Sequence, residues 1–232
     1  MAQISQYAEN EYFGKPSGLM DQMASSVGGL VYIDFADAQS PAVEKIDFRF
    51  SGCGYTLCTV DSGADHADLT GEYAAIPQEL SRICAVFGRE YLHDVDEGEF
   101  YMRIPELRRA AGDRAVLRAM HIYDENRRVK TIVAALRRGD FDTFLRCVNE
   151  SGVSSWHYLQ NITPAGAAEH QDMALTLALA KRLLGGRGAV RVHGGGFAGT
   201  ALAFVPDDMY GGFVDGMEGV LGRGCCHALR IV

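Results

Sequence analysis

Apolar residues follow two different spacings along the chain, and these spacings separate regions of strand from regions of helix. Residues 30–35 form a β-branched and aromatic run, residues 43–50 alternate weakly, and residues 55–60 form a third short apolar run. Such runs predict strands, the first two as partners. Residues 4–12 have the pattern of the end of a helix, and the spacing at 20–24 predicts a short second helix.

Helical spacing dominates the middle of the chain. Residues 70–87 place their apolar side chains on one face, with Pro77 as a local irregularity or a break. Residues 88–112 are mixed and polar and predict short helical pieces at best. A long helix is then predicted over 114–138, with Asp113 as its cap. The side chains predicted to form its buried face are Leu117, Met120, Val129, Ile132, Val133 and Leu136.

The last part of the chain returns to strands after this helical block. The predicted elements are helices over 141–150 (capped by Asp140) and 166–184, strands over 188–192 and 200–205, a helix ending near 221 and a closing strand over 225–232. Helices followed by strands of this kind predict an α+β fold with an antiparallel sheet.

Composition narrows the classes of function. The net charge of −8 and the absence of a basic run argue against nucleic-acid binding. No apolar stretch approaches the ~20 residues that span a bilayer, so no membrane association is expected. The N-terminal residues have neither the basic region nor the apolar region of a signal peptide. The six cysteines form no C-x-x-C pair, which is typical of thiols in a reducing cytoplasm.

The first candidate for chemistry is Asp21, which lies in the stretch 14–29 among glycine and apolar residues. Gly14, Pro16 and Gly18 predict a tight loop, and Ser17 is placed to cap the helix that follows. A carboxylate that is partly buried and held in place is suited to act as a general base. The alternative interpretation is an acid in the first helical turn that complements the helix dipole.

The second candidate is the glycine-rich loop over 193–199, between two predicted strands. Each glycine held in an ordered element costs roughly 0.5–1 kcal/mol relative to alanine, so a cluster of them needs a reason. Successive backbone N–H groups in such a loop can hold an anion. The alternative is a hairpin turn whose glycines only allow two elements to pack closely.

Three segments, in order, resemble those of galactokinases, which are sugar kinases of the GHMP superfamily. The sequence P-S-G-L-M-D-Q over 16–22 is similar to their G-[IL]-M-D-Q segment, and 194–199 is similar to their G-G-G-F-G-G motif. Residues 61–73 resemble the family's strand, His-containing loop and Tyr-bearing helix, with His66 and Tyr73 at the matching positions. Two departures from the glycine motif region are Ala198 in place of glycine and His193 in place of threonine.

The resemblance implies a fold and a set of site residues. It implies an α+β GHMP-kinase C-terminal domain over 51–232, preceded over 1–50 by a remnant of the N-terminal domain. Asp21 would be the catalytic residue, and Gly18, Asp21 and Tyr73 would contact the sugar. The glycines on the nucleotide side would be Gly194, Gly195, Gly196 and Gly199, and no residue is expected to ligate a metal directly.

The resemblance also implies a reaction, namely ATP- and Mg2+-dependent phosphorylation of galactose, or of a related hexose, at the C1 hydroxyl. Two family segments have no counterpart here: the one whose Arg pairs with the catalytic Asp, and the Ser-rich ATP loop. We therefore expect the C-terminal portion of a longer kinase, inactive alone, whose truncated face would favour a homodimer. The alternative is a non-catalytic, galactokinase-like sugar sensor or an inactive homologue.

Overall fold

The computed structural model describes residues 1–12, 18–37, 40–64 and 69–231. The α-helices of these segments are α1 (Ala2–Tyr7), α2 (Met20–Val27), α3 (Thr70–Val86), α4 (Glu97–Met102), α5 (Ile104–Ala111), α6 (Asp113–Arg137), α7 (Phe141–Ser154), α8 (Asp172–Leu184) and α9 (Tyr210–Leu221). The strands are β1 (Val31–Asp34), β2 (Ala42–Lys45), β3 (Tyr55–Asp61), β4 (Ala189–Val192), β5 (Thr200–Pro206) and β6 (Cys226–Leu229). The segments Ala8–Tyr12 and Ser155–Leu159 are π-helical.

The centre of the molecule is a four-stranded antiparallel sheet with the strand order β4-β5-β3-β6. In its middle pair, Cys58 lies opposite Ala203 and Val60 lies opposite Ala201. These four side chains are fully buried on one face of the sheet, and helices α8 and α9 cover that face. The predicted α+β architecture with an antiparallel sheet is therefore confirmed.

The opposite face of the sheet packs on aromatic residues. Phe204 of β5 lies at ring-centroid distances of 5.0 Å from Phe144 and 5.9 Å from Phe50. Phe141 stacks on Phe48 at 5.8 Å, so residues 46–50 and α7 form one cluster against the sheet. Ring pairs at these separations stabilise by about 0.5–1.5 kcal/mol each beyond the area that they bury.

The predicted pairing of the first two strands is also observed, since β1 and β2 form a separate antiparallel hairpin. Helix α2 packs against α1 and reaches β1, and neither helix contains a buried residue. This segment joins the rest of the molecule through residues 46–50, which follow the hairpin, and through Leu30 and Tyr32, which pack on the same cluster. The division of the chain into 1–50 and 51–232 remains a prediction.

Of the two alternatives for Pro77, the break is excluded, because α3 continues through this exposed position. Two other local predictions are wrong for identifiable reasons. Asp113 does not cap α6: Gly112, with φ of 89°, occupies the N-cap position, and the Asp113 carboxylate instead accepts from Arg108 Nε at 2.6 Å. Helix α8 begins at Asp172 rather than 166, because the Gly- and Ala-containing segment before it forms turns.

The buried face of α6 differs most from the prediction. It includes Arg118, His121 and Tyr123, whereas Val129 is exposed. The cause is that α6 contacts α3, α5 and α7, so more than one stripe of the helix is covered. Polar side chains are buried there because side chains and backbone carbonyls of neighbouring segments supply their hydrogen-bond partners.

Candidate functional site

The glycine loop of residues 193–199 links β4 to β5 and is fixed at both ends. The His193 N–H donates to the Thr200 carbonyl at 2.9 Å, which closes the hairpin. At the other end, the Gly199 carbonyl accepts from the Ser62 N–H at 2.9 Å and from the Ser62 hydroxyl at 2.7 Å. The loop is therefore anchored to the end of β3 as well as to its own strands.

Tyr73, in the first turn of α3, packs directly on this loop. Its hydroxyl donates to the Gly196 carbonyl at 2.8 Å, and its ring meets Phe197 edge to face at 5.5 Å. Burial raises the pKa of the Tyr73 hydroxyl, so it stays protonated and keeps its role as a donor. A Cβ on Gly195 would lie 2.8 Å from the Tyr73 ring, so any larger residue at this position would force the ring to shift.

Asn161 holds the loop from the other side, and sequence reasoning missed it. Its backbone carbonyl accepts from the Phe197 N–H at 2.6 Å, and its Nδ2 donates to the Gly195 carbonyl at 3.1 Å. A Cβ on Gly196 would lie 2.1 Å from the Asn161 carbonyl oxygen. The glycines of the motif thus permit the close packing that the alternative interpretation proposed. The only signal in the sequence is that Asn161 is a polar residue followed by an apolar residue and, three positions later, by Pro164.

Ala198 stands where the resembled glycine motif has glycine, and alanine is tolerated there because its φ is negative. Among the described residues other than glycine, only Gln160 and Phe197 have positive φ, with 61° at Phe197. The buried Phe197 ring contacts Tyr73, and this packing compensates a left-handed conformation that costs roughly 1–2 kcal/mol. His193 is exposed, with Nδ1 at 3.2 Å from the Thr200 hydroxyl.

A buried ion-pair network supports α3 and the Asn161 segment together. Arg118 is fully buried; its Nη1 donates to Glu79 of α3 at 2.8 Å, and its Nε donates to the Leu159 carbonyl at 3.0 Å. Arg114 also donates to Glu79, at 2.5 Å. These contacts tie the helix that carries Tyr73 to the chain just before Asn161, so both sides of the glycine loop share one support.

Asp21 lies apart from this cluster, in the first turn of α2. Its carboxylate is exposed, not partly buried as predicted, and within the described segments it makes no hydrogen bond or ion pair. Gly18, just before the helix, is exposed as well, and a Cβ there would meet nothing within 4 Å. The N-cap is Leu19, without a side-chain cap. Residues 14–17, including Ser17, and the loop residue His66 lie outside the described residues.

The structure therefore joins two of the predicted site features and leaves the third separate. Tyr73 and the glycine loop form one unit, and no hydrogen bond or ion pair links Asp21 to either within the described ranges. In the same ranges, no group of three or more His, Cys, Asp or Glu side chains is arranged around a metal site. Nor does any helix there have the length and apolar character needed to cross a bilayer.

Comparison with known proteins shows similarity to galactokinases, although no protein-family model matches the chain. The galactokinase of Actinobacillus pleuropneumoniae serotype 3 (strain JL03) is 31% identical over 208 residues, which cover 90% of this chain and 51% of that protein. The galactokinase of Mycobacterium tuberculosis (strain ATCC 25618 / H37Rv) is 32% identical over 211 residues, which cover 89% of this chain and 53% of that protein. The chain thus spans about half the length of the curated relatives that it matches.

Solved structures give the same result for the fold. The crystal structure of Lactococcus lactis galactokinase complexed with galactose matches with a TM-score of 0.75 at 23% identity, covering 99% of this chain and 58% of that one. The crystal structure of L. major mevalonate kinase in complex with R-mevalonate matches with a TM-score of 0.60 at 15% identity, covering 98% of this chain and 56% of that one. The GHMP-kinase fold expected from the motifs is confirmed. The chain is a homologue of the galactokinases over nine-tenths of its length, as its three motifs indicate.

Proposed function

We propose that this chain is the C-terminal portion of a galactokinase-type sugar kinase. In the complete enzyme, the reaction would be phosphoryl transfer from MgATP to the C1 hydroxyl of galactose. The observation that carries the proposal is the unit in which Tyr73 and Asn161 clamp the glycine loop from two sides, in a homologue of galactokinases. Residues 1–50 would complete the N-terminal domain of that enzyme, and residues 51–232 would form its C-terminal domain.

Asp21 would act on the sugar hydroxyl, either by orienting it or by accepting its proton. Its exposed position in the first turn of α2 leaves the carboxylate open to a ligand. Gly18 would allow the sugar to approach the backbone. General-base assistance of this kind typically contributes about 10²–10⁴ in rate, and stabilisation of charge on the phosphates supplies much of the remainder.

The glycine loop would form the nucleotide side of the site. The N–H groups of Gly194, Gly195 and Gly196 donate to no described residue, and Gly194 and Gly195 are exposed. Successive backbone N–H groups that have no other acceptor can donate to phosphate oxygens, so the loop could bind the phosphates of MgATP. The chain's contribution would be to place these donors, while Mg2+ would neutralise the developing charge on the transferred group.

We further propose that the isolated chain does not turn over, since no segment resembling the family's Ser-rich ATP loop is present in it. The reaction would take place in the cytoplasm. All six cysteines are free thiols, which suits a reducing compartment.

Calorimetric titration of the purified chain with galactose and then with MgATP tests the proposal. We expect weak galactose binding that is lost in Tyr73→Ala, with no galactose-dependent ADP formation. Vigorous turnover by a clean preparation would overturn the proposal that the isolated chain is inactive. Galactose binding in the complete enzyme without any nucleotide binding would instead support a non-catalytic sugar sensor.

A further inference from the structure

A cavity lies beside β4, an edge strand of the main sheet, and no residue of the glycine loop lines it. The C-terminal end of α7 and the π-helical turn 155–159 form one wall, and α8 forms the other. The cavity has a volume of about 310 Å³, which is enough for a ligand of monosaccharide size. Its polar and aromatic lining consists of Asn149, Trp156, His157, Lys181 and Arg191.

The walls of this cavity are fixed by the fold. The Asn149 side chain accepts from the Val190 N–H at 3.1 Å and donates to the Gly188 carbonyl at 3.0 Å, so it joins α7 to β4. A Cβ on Gly152 would lie 2.8 Å from the Val190 carbonyl oxygen, which shows how closely the two backbones approach. The cavity is therefore pre-formed, and a ligand would not need to order it.

The charge of the lining is unusual for this protein. No acidic side chain lines the cavity, although the chain as a whole carries a net charge of −8. Arg191 is partly buried, and its Nε donates to the Val192 carbonyl at 3.1 Å. Within the described residues its two terminal nitrogens have no hydrogen-bond acceptor, and no carboxylate lies within ion-pair distance. Lys181 likewise has no ion pair there.

The carboxylate whose charge acts on Arg191 is Glu125, and that group is already engaged. Glu125 Oε2 accepts from the Ser151 hydroxyl at 2.8 Å and pairs with Arg128 at 2.9 Å. Burial lowers the pKa of Arg191, yet a guanidinium stays charged at any physiological pH. A partly buried cation that shares its carboxylate with a second cation is stabilised further when an anion is supplied from outside.

We propose that this cavity binds a small organic phosphate with a sugar-sized body. Arg191 and Lys181 would hold the phosphate, because a guanidinium presents paired donors and an ammonium adds a point charge. Trp156, which is 39% exposed, would pack its ring against the apolar face of the ligand. The cavity shares no lining residue with Tyr73 or the glycine loop, and its binding does not depend on the proposed kinase reaction.

Trp156 is the single tryptophan of the chain, so its fluorescence reports on this cavity alone. Titration of the purified chain with galactose 1-phosphate, followed by fluorescence and by calorimetry, tests the proposal. We expect saturable binding that weakens as salt is raised, and much weaker binding of galactose or inorganic phosphate. Inorganic phosphate that binds as tightly as the sugar phosphate would contradict the role of Trp156.

Three variants locate the binding. Arg191→Gln should weaken galactose 1-phosphate binding at least tenfold, and Lys181→Gln, an exposed change that leaves the fold intact, about three- to fivefold. Arg182→Gln, on the neighbouring residue of α8 outside the cavity, should bind normally. Absence of calorimetric binding to the folded chain would overturn the proposal. So would binding that Lys181→Gln leaves unchanged but Tyr73→Phe removes, because that ligand would occupy the sugar site instead.

Discussion

Gly196→Ala is the substitution that tests most sharply how the glycine loop is held. Gly196 has φ of 85°, and an added Cβ would lie 2.1 Å from the Asn161 carbonyl oxygen and 2.6 Å from its Nδ2. The clash is with backbone, so a change of side-chain rotamer cannot relieve it. Either the loop or the Asn161 segment must move, and the bond from the Phe197 N–H to the Asn161 carbonyl, at 2.6 Å, must lengthen or break.

The magnitude follows from these two effects. The left-handed backbone costs an alanine roughly 1–2 kcal/mol relative to glycine. Loss of one buried hydrogen bond adds about 0.5–1.5 kcal/mol, and more if a group is left without a partner. We therefore expect the free energy of unfolding to fall by about 1.5–3.5 kcal/mol, which for a domain of this size corresponds to a decrease in Tm of roughly 3–14 °C.

Gly194→Ala is the matched control, because Gly194 also has positive φ, 70°, but a Cβ there meets nothing within 4 Å. It should show only the backbone effect, about 1–2 kcal/mol. Urea unfolding gives both values, and hydrogen exchange of the Phe197 amide should accelerate more in Gly196→Ala than in Gly194→Ala. Equal losses of stability in the two variants would refute the idea that Asn161 fixes the loop.

Three further changes probe the supports of the site. Tyr73→Phe removes the donor to the Gly196 carbonyl and should lower the free energy of unfolding in urea by about 0.5–1.5 kcal/mol; an unchanged value would mean that this hydrogen bond is not formed. Glu79→Ala leaves buried Arg118 without its carboxylate and should cost about 3–5 kcal/mol by the same assay, whereas Glu150→Ala, in an exposed pair, should cost under about 1 kcal/mol. Burial lowers the pKa of His121 from 6.5, so below that pH the unfolded chain binds a proton that the folded chain does not. Stability should therefore fall as pH decreases below about 6.5, by up to ~1.4 kcal/mol per unit, and His121→Gln should remove that slope.

The elements with strong local patterns could be predicted from the sequence. The boundaries of α3 and α6 lie close to the prediction because each helix has a regular apolar spacing. Asp140 caps α7 as predicted, since its side chain accepts from the Thr143 N–H at 3.0 Å. The glycine loop between two strands was also evident, because a cluster of glycines is rare outside turns and close approaches.

The missed features depend on residues that are distant in the sequence. Asn161 is identified only from the fold, which places it in hydrogen-bonding contact with residues 195–197. The same is true of Arg118, whose burial requires Glu79 on another helix. Asp21 illustrates the reverse case, since its apolar neighbours in sequence suggested burial, but α2 packs too little against the molecule to bury it. Local patterns indicate elements, whereas burial and pairing depend on tertiary contacts.

We propose that this chain supplies the carboxylate that acts on the sugar hydroxyl and the glycine loop of a sugar kinase. The most direct test is the rate of galactose 1-phosphate formation from MgATP and galactose by the complete enzyme that carries this sequence, compared with its Asp21→Asn variant. Asp21→Asn should reduce the rate by at least about 10² while leaving galactose binding and the unfolding midpoint nearly unchanged. A folded Asp21→Asn enzyme that keeps its full rate would contradict the role assigned to Asp21.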